Sequence, residues 1–376
     1  MWSRNPTQAN SFGYAQGGLE WGTELTDLRS DKETCVSATP KVVCEKPKLP
    51  TLWLDTSVII KLTKVKLGEK LQPVEVARLT RLRTLVQELV AAGKLIFPQS
   101  DQEEEYVVGA ANRRDSEIHR DFLGLSLGVK MQHRQGIFDW QAQLGMEAYA
   151  KSSDTINVGV DAFFYGDPAD ELEQARKRNI VIGTHPTRLP EILAGRDAAK
   201  VQVLEIWEQL RQEFVAKKRP YEEQLEAEKC GYADAMAYKV EEWEKKLATG
   251  VPDSWALMDV QGFLMFRAVW KDLGGKPDGL EGLHKYFRSD YHNNLPTPKI
   301  GNQLGADLLT GNEVIQSGDV MDVGLLSIAI PACHYVVTDN RQRKRIKDRG
   351  IDKDWGTEVY SMSDIDGLFQ QLEKLR

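Results

Sequence analysis

The sequence predicts an α/β protein in which helices flank a parallel sheet and a large, mainly helical insertion separates two parts of the core. Short apolar segments alternate with helical periodicity at about 51–115 and again at 313–376. Between them, at 116–312, apolar residues recur mostly at helical spacing among many Glu and Lys residues. Strands that alternate with helices form parallel sheets covered on both faces, and ligands bind beyond the carboxyl ends of their strands.

The composition is that of a globular protein with a modest negative charge. The chain has 376 residues, of which 49 are Lys or Arg and 56 are Asp or Glu, for a formal net charge of −7. This charge argues against binding nucleic acid or anionic membranes through bulk electrostatics, so a polyanion would need a local basic patch. The 4 cysteines form no C-x-x-C pair, and the first residues lack the apolar stretch of a secretory signal. We therefore expect a cytoplasmic protein without a membrane span.

The first elements are predicted from composition and periodicity. Residues 1–50 are rich in Gly, Ser, Thr, Asn, Gln and Pro, which predicts a flexible or strapped-down N-terminal arm. The apolar segment 52–60 predicts a buried strand that runs into a helix. Apolar residues at helical spacing predict a helix over about 74–92. Residues 94–97 predict a second short strand, and the acids within 101–105 favour the first turn of a following helix.

The middle of the chain predicts long helices. Residues 197–247 carry the pattern of amphipathic helices interrupted at Pro220. Residues 255–272 predict a more deeply buried helix. A strand-like stretch at 180–182 precedes His185, for which a loop position without a catalytic role is the simpler interpretation. Tryptophans at helical spacing in this region predict core positions, and these are Trp207, Trp243, Trp255 and Trp270.

The last part of the chain returns to alternating strands and helices. We predict a helix at 319–330, a buried strand at 335–337, a basic helix at 340–349 and a strand at 358–360. A C-terminal helix is expected from about 363. This pattern completes the parallel sheet that the first part begins.

Acidic residues recur at the ends of the predicted strands. Asp55 follows the strand at 52–54, and Asp339 follows the strand at 335–337 after a single threonine. Further acids lie after the strand at 94–97 and at the start of the helix at 319–330. Carboxylates that meet at one sheet edge repel one another unless a cation compensates, and their hard oxygens suit Mg²⁺ or Mn²⁺. Such ions activate water in phosphodiester hydrolysis.

Each acid also has a structural interpretation. Asp55 alone is most simply a helix cap, and 103–105 alone are a solvated first turn. Asp319 and Asp322 are spaced nearly as in a capping box, and Asp339 with Asn340 suits a turn. The occurrence of all these acids at corresponding positions favours a shared site.

Four segments resemble, in this order, the PIN-domain nuclease family. They are Leu-Trp-Leu-Asp55-Thr-Ser-Val-Ile-Ile, Ile-Phe-Pro-Gln-Ser-Asp-Gln-Glu-Glu-Glu105, Asp319-Val-Met-Asp322 and Tyr-Val-Val-Thr338-Asp339-Asn. The resemblance implies a PIN-like parallel sheet flanked by helices, acids that bind Mg²⁺ or Mn²⁺, and cleavage of single-stranded RNA by metal-activated water. It covers about 50–115 and 313–376. The long stretch between these parts departs from a compact PIN domain and leaves the substrate open.

The family's site residues can be carried over by position. The implied catalytic and metal-binding acids are Asp55, Glu105, Asp322 and Asp339. Glu104 is the alternative to Glu105. The other supporting residues are Asp319, Thr338 and Asn340. The resemblance implies that Thr338 orients Asp339 by a hydroxyl hydrogen bond.

A basic run begins two residues after Asp339. Its candidate nucleic-acid-binding residues are Arg341, Arg343, Lys344, Arg345 and Lys347. Basic side chains there could hold phosphates beside the carboxylates. A solvated helix face is the equally simple alternative.

These patterns together predict a metal-dependent endoribonuclease with an RNA substrate. A non-catalytic PIN-like scaffold, whose insertion binds a protein partner, and a structure-specific DNA nuclease remain alternatives. The sequence has no G-x-x-x-x-G-K-[ST], G-x-G-x-x-G or H-E-x-x-H motif. P-loop nucleotide hydrolysis, a Rossmann cofactor site and a zincin protease therefore lose their main signatures.

Overall fold

The computed structural model describes residues 39–102, 114–178, 190–250, 254–316 and 318–376. Its strands are β1 (Lys41–Cys44), β2 (Leu52–Leu54), β3 (Thr155–Val158), β4 (Tyr335–Val337) and β5 (Glu358–Tyr360). In the described residues they form two small parallel sheets, one of β1 and β3 and one in the order β2, β4, β5. The predicted α/β class with helix-flanked parallel strands is thereby confirmed.

Helices account for most of the described residues. In chain order they are α1 (Thr56–Lys66), α2 (Pro73–Ala91), α3 (Arg114–Ser126), α4 (Arg134–Ala150), α5 (Pro168–Arg178), α6 (Pro190–Ala216), α7 (Tyr221–Ala248), α8 (Ser254–Asp272), α9 (Leu280–Phe287), α10 (Asp290–Asn293), α11 (Pro296–Thr310), α12 (Asp319–Ala332), α13 (Asn340–Asp348), α14 (Ile351–Asp354) and α15 (Ile365–Glu373). The helices predicted at 74–92, 197–247, 255–272, 319–330 and 340–349 and from about 363 are present, and Pro220 separates α6 from α7 as expected. The helix predicted to open within 101–105 falls mostly outside the described residues.

The three-stranded sheet joins the two ends of the described chain. Strand β4 lies at its centre, with Leu54 of β2 opposite Val337 and Val337 opposite Tyr360 of β5. Ile96 extends the sheet beside β2 through an isolated parallel bridge to Thr51. The predicted strand at 94–97 is therefore reduced to a bridge. Pro98, which has no backbone N–H to donate, follows directly.

The N-terminal arm and the mainly helical middle region each contribute one strand. Residues 41–44, which lie in the arm predicted to be flexible or strapped down, form β1 and pair in parallel with β3. Lys46 ties the same segment to the main sheet, since its Nζ donates to the carbonyl oxygens of Cys333 at 2.7 Å and Gly356 at 2.9 Å. Strand β3 lies within the region predicted as mainly helical. The expected strand at 180–182 lies outside the described residues.

Apolar side chains cover both faces of the three-stranded sheet. Along β2, Leu52 and Leu54 pack into one buried cluster with α1 and α2, whereas Trp53 packs into a second cluster with the middle helices. This division follows from the alternation of side chains along a strand. Trp270 is fully buried in the second cluster, and Trp243 packs against it. Trp207 packs against a third, smaller cluster, and the side chain of Trp255 is outside the described residues.

Candidate carboxylate site at the sheet edge

Asp55 and Asp339 leave neighbouring strands at the carboxyl edge of the sheet. Asp55 follows β2 and caps α1, accepting a hydrogen bond from the backbone N–H of Ser57 at 2.7 Å. Asp339 follows β4 and caps α13, accepting from the backbone N–H groups of Arg341 at 2.6 Å and Gln342 at 2.9 Å. Because β2 and β4 are paired in register, the expected meeting of these acids at one edge is present.

Thr338 connects the two strand ends differently from the prediction. Its hydroxyl donates to Oδ2 of Asp55 at 3.3 Å, across the strand pair. The expectation that Thr338 orients Asp339 is therefore wrong in this respect, because the threonine faces the neighbouring strand. Its backbone N–H donates to the carbonyl oxygen of Tyr360 on the other side. Thr338 thus orients Asp55, which follows β2, and not the adjacent Asp339.

The electrostatics of Asp55 oppose its ionisation. The residue is 6% exposed, and burial raises the pKa of its carboxyl above the ordinary value. The charge of Asp339 raises this pKa further, while hydrogen bonds from Ser57 and Thr338 lower it. A nearby cation would reverse this balance and favour the carboxylate form.

Asp319 is held by cations of its own chain. It is 3% exposed, and its carboxylate accepts from the backbone N–H of Gln316 at 2.7 Å and from Arg345 Nη1 at 3.3 Å. Arg341 Nη2 lies 3.5 Å from the same group. These partners neutralise Asp319 and leave little capacity for a metal ion.

Gln342 joins the acids of α12 to the acid after β4. Its side-chain Nε2 donates to Asp319 Oδ1 at 3.0 Å and lies 3.4 Å from Asp322 Oδ2. Its backbone N–H already bonds Asp339. Gln342 is not among the site residues predicted from the sequence. The signal was present, because Asp339-x-x-Gln342 has the spacing of a capping box.

The oxygen-only donor set fits Mg²⁺ or Mn²⁺ in part. Among the described residues, no three side chains of His, Cys, Asp or Glu lie close enough together to hold a metal ion by themselves. Glu104 and Glu105 lie outside the described residues. Mg²⁺ commonly uses only one or two protein carboxylates and keeps several waters. Asp55 and Asp339, which follow two strands paired in register, could supply two such carboxylates.

The basic run is mostly paired with acids of the same chain. Arg341 binds Glu313 at 2.9 Å, Lys347 binds Asp352 at 2.9 Å, and Arg343 pairs with Asp364. Arg345 is buried, whereas Lys344 is exposed. Most of the predicted phosphate-binding side chains therefore already have anionic partners. Lys344 and Lys347 both face solvent, and Lys347 is paired with Asp352. Asn340 accepts a hydrogen bond from the hydroxyl of Ser363 at 2.8 Å.

A further buried acid lies beside the end of β2. Asp101 is 6% exposed and accepts a hydrogen bond from the backbone N–H of Arg134 at 2.7 Å, at the start of α4. His133 Nε2 lies 3.6 Å from the same carboxylate. The sequence analysis assigned Asp101 only to a helix start. Its pairing with residues of the middle region could not be seen from local pattern. His185 lies outside the described residues.

No family profile, curated protein or solved structure matches the chain. Each described helix is too short or too polar to cross a membrane.

Proposed function

We propose that the chain is a metal-dependent endoribonuclease that hydrolyses phosphodiester bonds of single-stranded RNA. The observation that carries the proposal is the placement of Asp55 and Asp339 after two strands paired in register. The order of the four sequence segments, with their resemblance to PIN-domain nucleases, supports the choice of reaction and substrate. The chain would combine a PIN-like core with a large helical insertion.

The proposed metal ligands are Asp55, Asp322 and Asp339, with Glu105 or Glu104 as the further acid. Mg²⁺ or Mn²⁺ bound by such carboxylates lowers the pKa of a bound water and stabilises charge on the phosphodiester. Ser57 N–H and Thr338 Oγ1 hold the two oxygens of Asp55, so this carboxylate is oriented before any ligand binds. Arg341 and Arg345 balance the charge of Asp319. Exposed Lys344 is available to a phosphate of the RNA.

The test is cleavage of labelled RNA and DNA in the presence of Mg²⁺, Mn²⁺ or a chelator. We expect Asp55→Asn and Asp322→Asn each to lower RNA cleavage by at least about 100-fold, because each removes an anionic ligand. Chelation should abolish cleavage by the wild type. Asp167→Asn is the matched control. Asp167 Oδ1 accepts the backbone N–H of Ala169 at 2.9 Å, two residues on, just as Asp55 accepts that of Ser57.

Three results would contradict the proposal. Cleavage that survives both substitutions and chelation would exclude the carboxylates as the catalytic site. Cleavage of structured DNA alone would identify a DNA nuclease. Failure to cleave any substrate, together with tight binding of a protein partner, would favour the scaffold.

A further inference from the structure

The carboxylate of Glu313 lies against two arginines of α13. Its Oε2 is 2.9 Å from Arg341 Nε and 3.5 Å from Arg345 Nη2. Arg345 is 8% exposed, whereas more than half of the Glu313 side chain is open to solvent. Guanidinium N–H groups bind carboxylate and phosphate oxygens with the same geometry. We call the place that this carboxylate fills, between Arg341 and Arg345, the anion position.

The two arginines keep other partners when Glu313 is left aside. Arg345 Nη1 donates to Oδ1 of buried Asp319 at 3.3 Å. Arg341 Nη2 donates to the carbonyl oxygen of Val314 at 2.8 Å. Both guanidinium groups are therefore held in place by the fold, and a second anion would meet them already oriented.

The backbone around Glu313 is anchored on both sides, so only its side chain has to move. Arg211 of α6 donates from Nη1 to the carbonyl oxygen of Gly311 at 3.2 Å. The backbone N–H of Ile315 donates to Oε2 of Glu208, also on α6, at 3.1 Å. Exposed ion pairs contribute little to stability, so rotation of the Glu313 carboxylate into solvent costs little.

The anion position adjoins the acidic strand end. The backbone N–H of Arg341 donates to Asp339 Oδ1 at 2.6 Å. The hydrogen bond from Arg341, together with the charges of Arg341, Arg345 and Lys344, holds the pKa of the Glu313 carboxyl below its ordinary value. Three cations of α13 thus act on the anion position, and exposed Lys344 is one of them. Such a group of cations suits a phosphate of a nucleic-acid backbone.

We propose that a phosphate group of single-stranded RNA displaces the Glu313 carboxylate and binds Arg341 and Arg345. Glu313 occupies the anion position in the free protein and thereby lowers the affinity for RNA. This inference rests on the proposed function for the choice of RNA. It adds a phosphate-binding position, with a resident competitor, beside Asp339.

The experiment measures binding of a fluorescein-labelled single-stranded RNA oligonucleotide to the full chain by fluorescence anisotropy. EDTA is present, so that metal-dependent cleavage does not consume the RNA. Glu313→Gln keeps the shape of the side chain and removes its charge. We expect RNA to bind this variant about 3- to 5-fold more tightly, because a competing exposed ion pair is lost.

Glu373→Gln is the matched control for the change of charge. Glu373 of α15 is also exposed and also pairs with an arginine, Arg81 of α2, at 2.5 Å. Its variant should bind RNA like the wild type. An equal gain in both variants would show that net charge alone matters, and RNA affinity of Glu313→Gln equal to that of the wild type would show that Glu313 does not compete. Either result would overturn the inference.

A double-mutant cycle tests whether the gain passes through Arg341. In an Arg341→Met background, Glu313→Gln should lose most of its effect on RNA affinity, because the cation that it releases is absent. A gain that persists in full would overturn the proposed exchange. Circular dichroism establishes whether each variant is folded. If Arg341→Met does not fold, the comparison of Glu313→Gln with Glu373→Gln decides the question.

Cleavage of the same RNA in Mg²⁺ or Mn²⁺ tests the proposed function separately. If the wild type cleaves RNA and Glu313→Gln binds it no more tightly, only the inference fails. If Glu313→Gln gains affinity through Arg341 but neither protein cleaves RNA, the anion position is supported and the proposed reaction fails. If neither protein binds or cleaves RNA, both fail.

Discussion

Asp55 caps a helix, as its structural interpretation predicts, and it lies at the sheet edge where the charge of Asp339 acts on it. One carboxylate oxygen caps α1 through the backbone N–H of Ser57, and the other accepts the hydroxyl of Thr338. A helix cap tolerates a buried carboxylate because the N–H groups of the first turn stabilise its charge. Burial and Asp339 nevertheless raise its pKa. A cap placed beside a second acid is therefore also suited to bind a cation.

Thr338→Val tests the hydroxyl that orients Asp55. The substitution preserves shape but removes the donor, and Thr338 is 1% exposed, so water cannot readily replace it. If the chain is the proposed nuclease, we expect about a 10-fold lower kcat. The Thr338 hydrogen bond lowers the pKa of Asp55. Its loss should therefore move the acid limb of the pH–rate profile to higher pH.

The control for this prediction is a second buried threonine that donates to an aspartate. Thr63 Oγ1 lies 3.2 Å from Asp121 Oδ2, away from the sheet edge. Thr63→Val should lower the free energy of unfolding without moving the pH–rate profile. Equal effects of the two substitutions on activity would show that Thr338 acts only through stability.

Helix α13 is an element whose charges serve the fold more than a ligand. Arg345, which is 8% exposed, contacts Asp319 Oδ1 at 3.3 Å, Asp307 Oδ2 at 3.5 Å and Glu313 Oε2 at 3.5 Å. Arg349 also pairs with Asp307, at 2.6 Å. The helix is thereby tied to α11, to the chain before α12 and to α12 itself.

Arg345→Met should destabilise the protein strongly. Removing one partner of a buried charge network leaves the remaining carboxylates desolvated, which typically costs about 3–5 kcal/mol. Urea denaturation measures the change in the free energy of unfolding. Lys344→Met, on the exposed side of the same helix, should change it by less than about 0.5 kcal/mol. Equal stability of the two variants would contradict the structural role of Arg345.

Local pattern was sufficient to predict the strands of the main sheet and the helices that adjoin them, which are α1, α2, α12, α13 and α15. These elements show apolar runs or helical periodicity within short stretches of sequence, so residues close together in the chain are enough to predict them. The pairing of β1 with β3 joins segments far apart in the chain, and β1 is a short strand in a polar region. The ion pairs of α13 likewise depend on acids from other elements, so charge spacing alone suggested a free basic face. The spacing of Gln342 from Asp339 is that of a capping box, but its contacts with Asp319 and Asp322 join it to another element and could not be predicted from that spacing.

At the scale of the whole molecule, the main sheet separates two apolar clusters, and the larger one encloses a histidine. His292 is 2% exposed, and rings of Phe138, Tyr286 and Phe287 surround it with centroid distances of 5.6, 5.6 and 4.9 Å. Its Nδ1 has no hydrogen-bond partner in the described part of the chain. Burial lowers the pKa of His292 from 6.5 to about 3, because removal from water disfavours the charged imidazolium.

His292 makes the stability of the whole fold sensitive to acid. In the unfolded chain it takes up a proton near its ordinary pKa of 6.5, whereas the folded state resists protonation down to about 3. Stability therefore falls as pH drops through this range, by about 1.4 kcal/mol per pH unit from this residue. Burial raises the pKa of Asp139 to about 6, and the resulting contribution has the opposite sign. The difference between wild type and His292→Phe isolates the histidine.

Urea unfolding at pH 7, 6 and 5 measures this difference. Wild type should lose stability relative to His292→Phe as the pH falls. His284→Gln is the control, because His284 is half-buried and pairs with Asp234. A difference between wild type and His292→Phe that stays constant with pH would rule out a buried neutral histidine.

The pairing of β2 with β4 also has a consequence for synthesis of the chain. Asp55 and Thr338, which meet across this strand pair, are 283 residues apart in sequence. During translation, β2 leaves the ribosome long before β4 exists. The apolar residues of β2 must therefore remain without their strand partner in the nascent chain until β4 has been made, so Asp55 and Thr338 can meet only after the residues between them have been synthesised.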